Sequence, residues 1–192
     1  MKKIVLFALL SVIVIIITAC GGNGGETSSH AESAAPEYSG VSEVSQEISE
    51  VLTETKSVKA YGIVLDLPSD YIVEDKDDII MIKTTAMSET KDIITIVSVP
   101  GSLSEFTEKS MTAAMQTDYD FEKFNDYKKV ESEDKTAVVY DFDTVYNGVA
   151  MNIKQINVQS GENVVTVTFC LVNEGTKEQF DVIADSVKVE NQ

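Results

Sequence analysis

The sequence predicts an α+β fold, an antiparallel β-sheet with helices packed on it. Three observations carry that prediction. Val138, Tyr140, Phe142, Thr144 and Tyr146 alternate with Val139, Asp141, Asp143 and Val145, and the run ends at Asn147-Gly148, the strongest short hairpin signal. Separate runs rich in Ile and Val lie at 79–83, 92–99 and 165–171. Two boxes of the form Ser/Thr-x-x-Glu/Gln, at Ser102 to Glu105 and Thr176 to Gln179, each open a stretch with helical periodicity.

The elements follow in order. Ile63, Leu65 and Leu67 alternate as one face of a strand, and Pro68-Ser69-Asp70 turns the chain. A short strand is expected at 71–74, then a polar turn over Asp75-Lys76-Asp77-Asp78. Strands are expected at 79–83 and 92–99, the second ended by Pro100-Gly101. From Ser102 a helix should run to about Asp118, with Leu103, Phe106, Met111 and Ala114 on one side. A strand over 128–133 and a turn at Glu133-Asp134-Lys135 precede the long hairpin. A two-residue loop sets that hairpin's register: Tyr146 faces Val149, Thr144 faces Met151, Phe142 faces Ile153 and Asp141 faces Lys154, the last as a cross-strand ion pair. Ser160-Gly161-Glu162-Asn163 is the next turn, and Val165, Val167, Phe169 and Leu171 line the last long strand. Phe180, Ile183, Ala184 and Val187 trace one face of a closing helix.

Length and charge exclude several functions. The 192 residues allow one ordinary domain plus attachments. The net charge of −17 removes the usual electrostatic basis for nucleic-acid binding, so no nucleic-acid partner is expected. All 15 basic residues are Lys, which leaves no guanidinium fork for bidentate phosphate recognition. The single His, His30, leaves no means of building a Ser-His-Asp, Cys-His or multi-His metal site.

The N-terminus reads as an address. Lys2 and Lys3 precede residues 4–19, sixteen positions without a charge. That is short for a membrane span, which needs ~20 apolar residues, and suits the apolar core of a signal peptide. The stretch closes on Ile17-Thr18-Ala19-Cys20, followed by Gly21-Gly22. Small residues before a cysteine let a peptidase reach extended backbone, and the thiol can then carry diacylglycerol. This ending resembles the lipobox of bacterial lipoproteins, with Ile17 in the place usually held by Leu. The resemblance implies cleavage after residue 19, lipid on Cys20, and a chain held at the outer face of the cytoplasmic membrane; the alternative is an uncleaved anchor helix. Two or three acyl chains hold a protein firmly where one holds it marginally. With Cys20 lipidated, Cys170 has no partner for an internal disulfide.

Residues 20–58 read as the lipidated cysteine and a flexible acidic tether. From residue 21 onward this segment carries seven Glu, one Lys and one Tyr, and has too little apolar surface to offset its ordering entropy. Val41, Val44, Ile48 and Val51 recur at helical spacing, too briefly to expect more than a transient helix. Residues 59–192 form the expected domain, with a charge of −13.

Beyond the layout, one short motif carries a resemblance. Residues 62–71 are similar to the opening strand of the PsbP-like fold and its Leu-Pro-x-x-aromatic turn, here Leu67-Pro68-Ser69-Asp70-Tyr71, with Tyr where that family usually has Trp. The helix after the fourth strand, the long hairpins and a closing helix ending Ala184-Asp185-Ser186-Val187-Lys188-Val189 are similar as well. The family includes photosystem accessory proteins, a Ran-binding import factor and bacterial lipoproteins. The resemblance implies an α/β/α sandwich over about 59–190 and a mostly non-enzymatic binding or accessory role.

Candidate sites are few. Cys170 sits between Phe169 and Leu171 in an apolar strand and reads as a buried structural residue rather than a reactive thiol. Asp118-Tyr119-Asp120-Phe121-Glu122 with Asp126 resembles the start of a calcium loop. The required Gly and Glu are replaced by Lys123 and Lys129, so the motif is rejected. Asp75, Asp77 and Asp78 share a turn that reads as solvated. Asp141 and Asp143 point the same way along one strand, as a pair of catalytic carboxylates would; the predicted partner Lys154 favours a plain polar face. Tyr119, Phe121, Phe124 and Tyr127 read as core more than as a partner-binding patch.

Taken together these features predict a membrane-anchored extracytoplasmic lipoprotein, not an enzyme and without cofactor or metal, that binds a protein or envelope component. The alternative is a small-molecule or metal receptor. The first expects an exposed aromatic patch. The second expects a concave pocket between sheet and helix.

Overall fold

Two-residue hairpin loops build the molecule, and the backbone at each shows why. In the computed structural model, residues 54–83, 92–146 and 148–190 are described. Cys20, His30, the Val41 to Val51 repeat and Asn147 lie outside them. Strands β1 (Thr55–Ala60) and β2 (Ile63–Pro68) pair across Tyr61-Gly62, whose φ values of 51° and 81° are the left-handed pair that a type I′ turn needs. Strands β3 (Ile72–Lys76) and β4 (Ile79–Lys83) pair across Asp77-Asp78, again with φ of 52° and 65°. Strand β5 (Ile93–Pro100) leads to helix α1 (Glu108–Asp118) and strand β6 (Asp126–Glu131). Strands β7 (Thr136–Tyr146), β8 (Val149–Ser160) and β9 (Asn163–Leu171) form the long meander, and helix α2 (Lys177–Ser186) and the two-residue strand β10 (Lys188–Val189) close the chain.

These strands make two antiparallel sheets. Seven are ordered β3-β4-β5-β9-β8-β7-β6, and a small sheet is ordered β1-β2-β10. The β7–β8 register is the expected one, with Tyr146 opposite Val149, Phe142 opposite Ile153 and Asp141 opposite Lys154. Strand alternation then sorts side chains to the two faces of the large sheet. On one face Ile94, Ile96, Val139, Ile156, Val158, Val165, Val167 and Phe169 meet Ile63, Leu65 and Leu67 of β2 and Phe180, Ile183 and Ala184 of α2. On the other, Val138, Tyr140, Phe142, Ile153 and Val164 meet Met111, Ala114 and Met115 of α1. The result is the predicted α+β arrangement, with helices on both faces. The Leu67 to Tyr71 motif turns as expected: Tyr71 N–H donates to the Pro68 carbonyl at 3.2 Å and the ring is buried.

Several expectations are corrected. The domain begins before residue 59, because β1 takes up Thr55 to Val58 as an edge strand. The strand expected at 128–133 lies at Asp126–Glu131. Ser102 caps only a 3₁₀ turn, Leu103–Glu105, accepting from Ser104 N–H. The helix starts at Glu108, where Thr107 and Ser110 form the reciprocal capping box. Leu103 N–H donates instead to Gln159 Oε1 at 3.0 Å, which ties the turn to β8. Thr176 does precede α2, but its hydroxyl does not cap it; it donates to Asp92 Oδ2 at 2.7 Å. Finally, Asp141 and Lys154 face each other without bonding. Lys154 Nζ lies 2.7 Å from Asp181 Oδ1 on α2, where Lys177 also approaches at 3.8 Å.

The acidic groove at the end of the β7–β8 hairpin

The long hairpin overhangs its neighbours. Strand β6 starts at Asp126, opposite Asp141, so β7 continues five residues beyond that pairing. Strand β9 ends at Leu171, opposite Asn152, so Val149, Ala150 and Met151 of β8 have no β9 partner. The chain leaving β9 is drawn away by Asp92, whose Oδ1 accepts from the N–H groups of Val172 and Asn173 at 2.5 and 3.0 Å. On the other side the α1–β6 connection is anchored by Tyr119 and Phe121. Their rings pack edge-on against Phe142, with centroids 5.6 and 5.3 Å apart. Alternation along that connection leaves Asp120 and Glu122 pointing away from the core.

The result is a shallow open groove of about 520 Å³ around the overhang. Asp120, Glu122, Lys123 and Asn125 line it from the connection, Asp143, Thr144 and Val145 from β7, and Ala150, Met151 and Asn152 from β8. Leu171, Val172 and Glu174 complete it. Four carboxylates and one ammonium therefore surround an apolar strip, and Val145 in that strip is 51% exposed. Asp143 is fixed from both sides: Asn125 Nδ2 donates to its Oδ2 and Asn152 Nδ2 to its Oδ1, each at 2.9 Å. Thr144 is 5% exposed and its Oγ1 has no hydrogen-bond partner among the described residues.

This arrangement can attract and orient a cation, with both Asp143 oxygens already held by amide donors. Asp141 shares the strand face of Asp143 as expected, yet does not line the groove. The other candidates also sort plainly. Cys170 is buried beside Ile93. Tyr119 and Phe121 are buried, and Phe124 and Tyr127 are half-buried against Tyr140, so the aromatic run is core rather than an exposed patch. Asp77 and Asp78 are turn residues, and the Asp78 carbonyl accepts from Tyr61 OH at 2.9 Å. Among the described residues no group of three or more acidic, His or Cys side chains is placed to hold a metal ion.

Asp120 and Glu122 were visible in the calcium-like stretch, though not their role on the groove rim. Asn125, Asn152 and Glu174 were not visible at all, because the groove exists only where β6 and β9 stop short of the hairpin tip.

Comparison with solved structures identifies the class of fold. The chain is similar to the cyanobacterial PsbP from Synechocystis sp. PCC 6803, with a TM-score of 0.54 and 8% identity over 73% of this chain and 95% of that one. The molecule has the PsbP-like α+β fold. A second similar structure is LpqN of Mycobacterium tuberculosis, described as involved in cell envelope biogenesis. It has a TM-score of 0.44 and 16% identity over 72% of this chain and 91% of that one, a likeness too loose to bear on the present chain. No protein-family model and no curated protein matches the sequence. No helix among the described residues is long and apolar enough to cross a membrane.

Proposed function

We propose that the protein is a lipoprotein, anchored through Cys20 at the outer face of the cytoplasmic membrane. In this reading its PsbP-like domain serves as a non-enzymatic binding or accessory module for a protein or envelope component. The observation that carries this reading is the N-terminal run of two Lys, sixteen uncharged residues and Ile17-Thr18-Ala19-Cys20. The acidic residues 21–54 would hold the domain off an anionic surface. The groove supports a binding role, because it concentrates charge beside exposed apolar surface without a nucleophile–base pair.

Metabolic labelling with an alkyne fatty acid tests the anchor. Wild-type protein should take up label and sediment with membranes, and Cys20→Ala should do neither. Unlabelled wild-type protein, or label retained by Cys20→Ala, would overturn the proposal.

The groove also favours a second reading, a receptor for a small molecule or metal ion, since its volume would admit one. A thermal-shift panel of metal ions, sugars and metabolites separates the two. A ligand at 100 times its Kd stabilises the fold by about 2.7 kcal/mol, a visible shift.

A further inference from the structure

We propose that the groove around the β7–β8 overhang takes an extended, lysine- or arginine-bearing peptide segment of a partner protein. This deepens the binding-module reading and rests on it. Asp120 and Glu122 stand on one rim, Glu174 on the other, with Asp143 in the groove wall. Lys123 is the lone cation against these four acids. Such a lining draws in positive charge and speeds its encounter. A second copy of this chain, at −17, would be repelled.

Two features favour a peptide over a free amine or a bare cation. The overhang leaves Val149 to Met151 of β8 without a strand neighbour on the β9 side, an edge on which extended backbone can pair. The exposed Val145 lies beside the acids, so a segment alternating basic and apolar side chains would satisfy both.

The test uses the full chain in detergent and a fluorescent peptide alternating Lys and Val, read by anisotropy. Glu122→Lys with Glu174→Lys reverses both rims; Glu131→Lys with Glu133→Lys makes the same charge change at the other end of β6. The groove pair should weaken binding about tenfold or more, near 1.4 kcal/mol. The control pair should stay within about twofold, and raised salt should weaken the wild type.

Equal losses in both pairs would overturn the proposal, since diffuse net charge then suffices. Failure of the peptide to bind while spermidine or Ca²⁺ does would also overturn it, and would leave the broader binding role and the lipid anchor standing.

Discussion

The two faces of the large sheet are built on different principles. The face under α2 and the small sheet is aliphatic throughout its centre, with Ile82, Ile94, Val158, Val165 and Val167 at or near zero exposure. The face under α1 carries a buried polar row across four strands. Tyr140 OH donates to Gln155 Oε1, Gln155 Nε2 to Thr168 Oγ1 at 3.0 Å, and Thr166 Oγ1 to Asn157 Oδ1 at 2.8 Å; Thr95 lies opposite Thr168. The first face is sealed by a helix and a second sheet, and contributes stability through area removed from water. The second tolerates polar groups and ends in the aromatic cluster of Phe121, Phe124, Tyr127 and Phe142. The acidic groove lies at the hairpin end of the first face, where Asp143 and Val145 stand on the Asp141 side of β7. The aliphatic centre and the charged groove thus share one face of the sheet, and the other face carries the buried polar row.

The comparison can be broken by substitution, with the largest effect expected on the aliphatic face. Phe169→Ala removes a ring that packs edge-on against Phe180 at 5.5 Å. It should cost about 3–5 kcal/mol in chemical denaturation. A cost near 1 kcal/mol would mean that face is not tightly packed. Gln155→Leu removes the acceptor of the Tyr140 hydroxyl and the donor to Thr168 Oγ1 and should cost about 1–3 kcal/mol. Adding Tyr140→Phe should recover part of that loss. Strict additivity would show that the polar row is not a network.

Gly62→Ala should cost about 1–2 kcal/mol, because φ is 81° and an added Cβ would lie 2.4 Å from Ser160 Oγ. Gly148→Ala, at φ 77° but in open space, should cost less than Gly62→Ala. The order of the two melting temperatures checks it.

The smallest effect is electrostatic. Burial pushes the Asp181 carboxyl up, but the hydrogen bond and charge of Lys154, with Lys177 and Lys128, outweigh it and hold the group below the usual carboxylate range. The stability this contributes is complete above the ordinary Asp value of about 3.9 and drains away as pH falls through the lower folded value. Asp181 is partly exposed, so the effect should stay below about 1 kcal/mol. Denaturation from pH 7 to pH 3 should show a shallower acid loss in Asp181→Asn than in the wild type.

How much of this was legible depends on range. The β7–β8 register was readable because a two-residue turn fixes it locally, and Phe142 and Ile153 then had to share a face. Both helices were expected, but their capping was misassigned. Ser102 and Thr176 have the right chemistry, yet distant contacts with Gln159 and Asp92 engage those turns first. Lys154 likewise chose Asp181, twenty-seven residues on, over its cross-strand neighbour. β1 was hidden because Thr55, Ser57 and Lys59 leave only Val58 and Ala60 to signal burial. The groove was the least legible, since it depends on where β6 and β9 end relative to the hairpin rather than on any motif.

The most direct measurement is a residue-resolved NMR titration of the full chain in detergent with the basic peptide. If recognition belongs to the groove, shifts should cluster at 120–125, 143–145, 150–152 and 171–174, and leave the α1 residues and the polar row of Thr95, Gln155 and Thr168 unmoved. Perturbations centred on α1 and the polar row, or spread evenly over all acidic residues, would contradict that assignment.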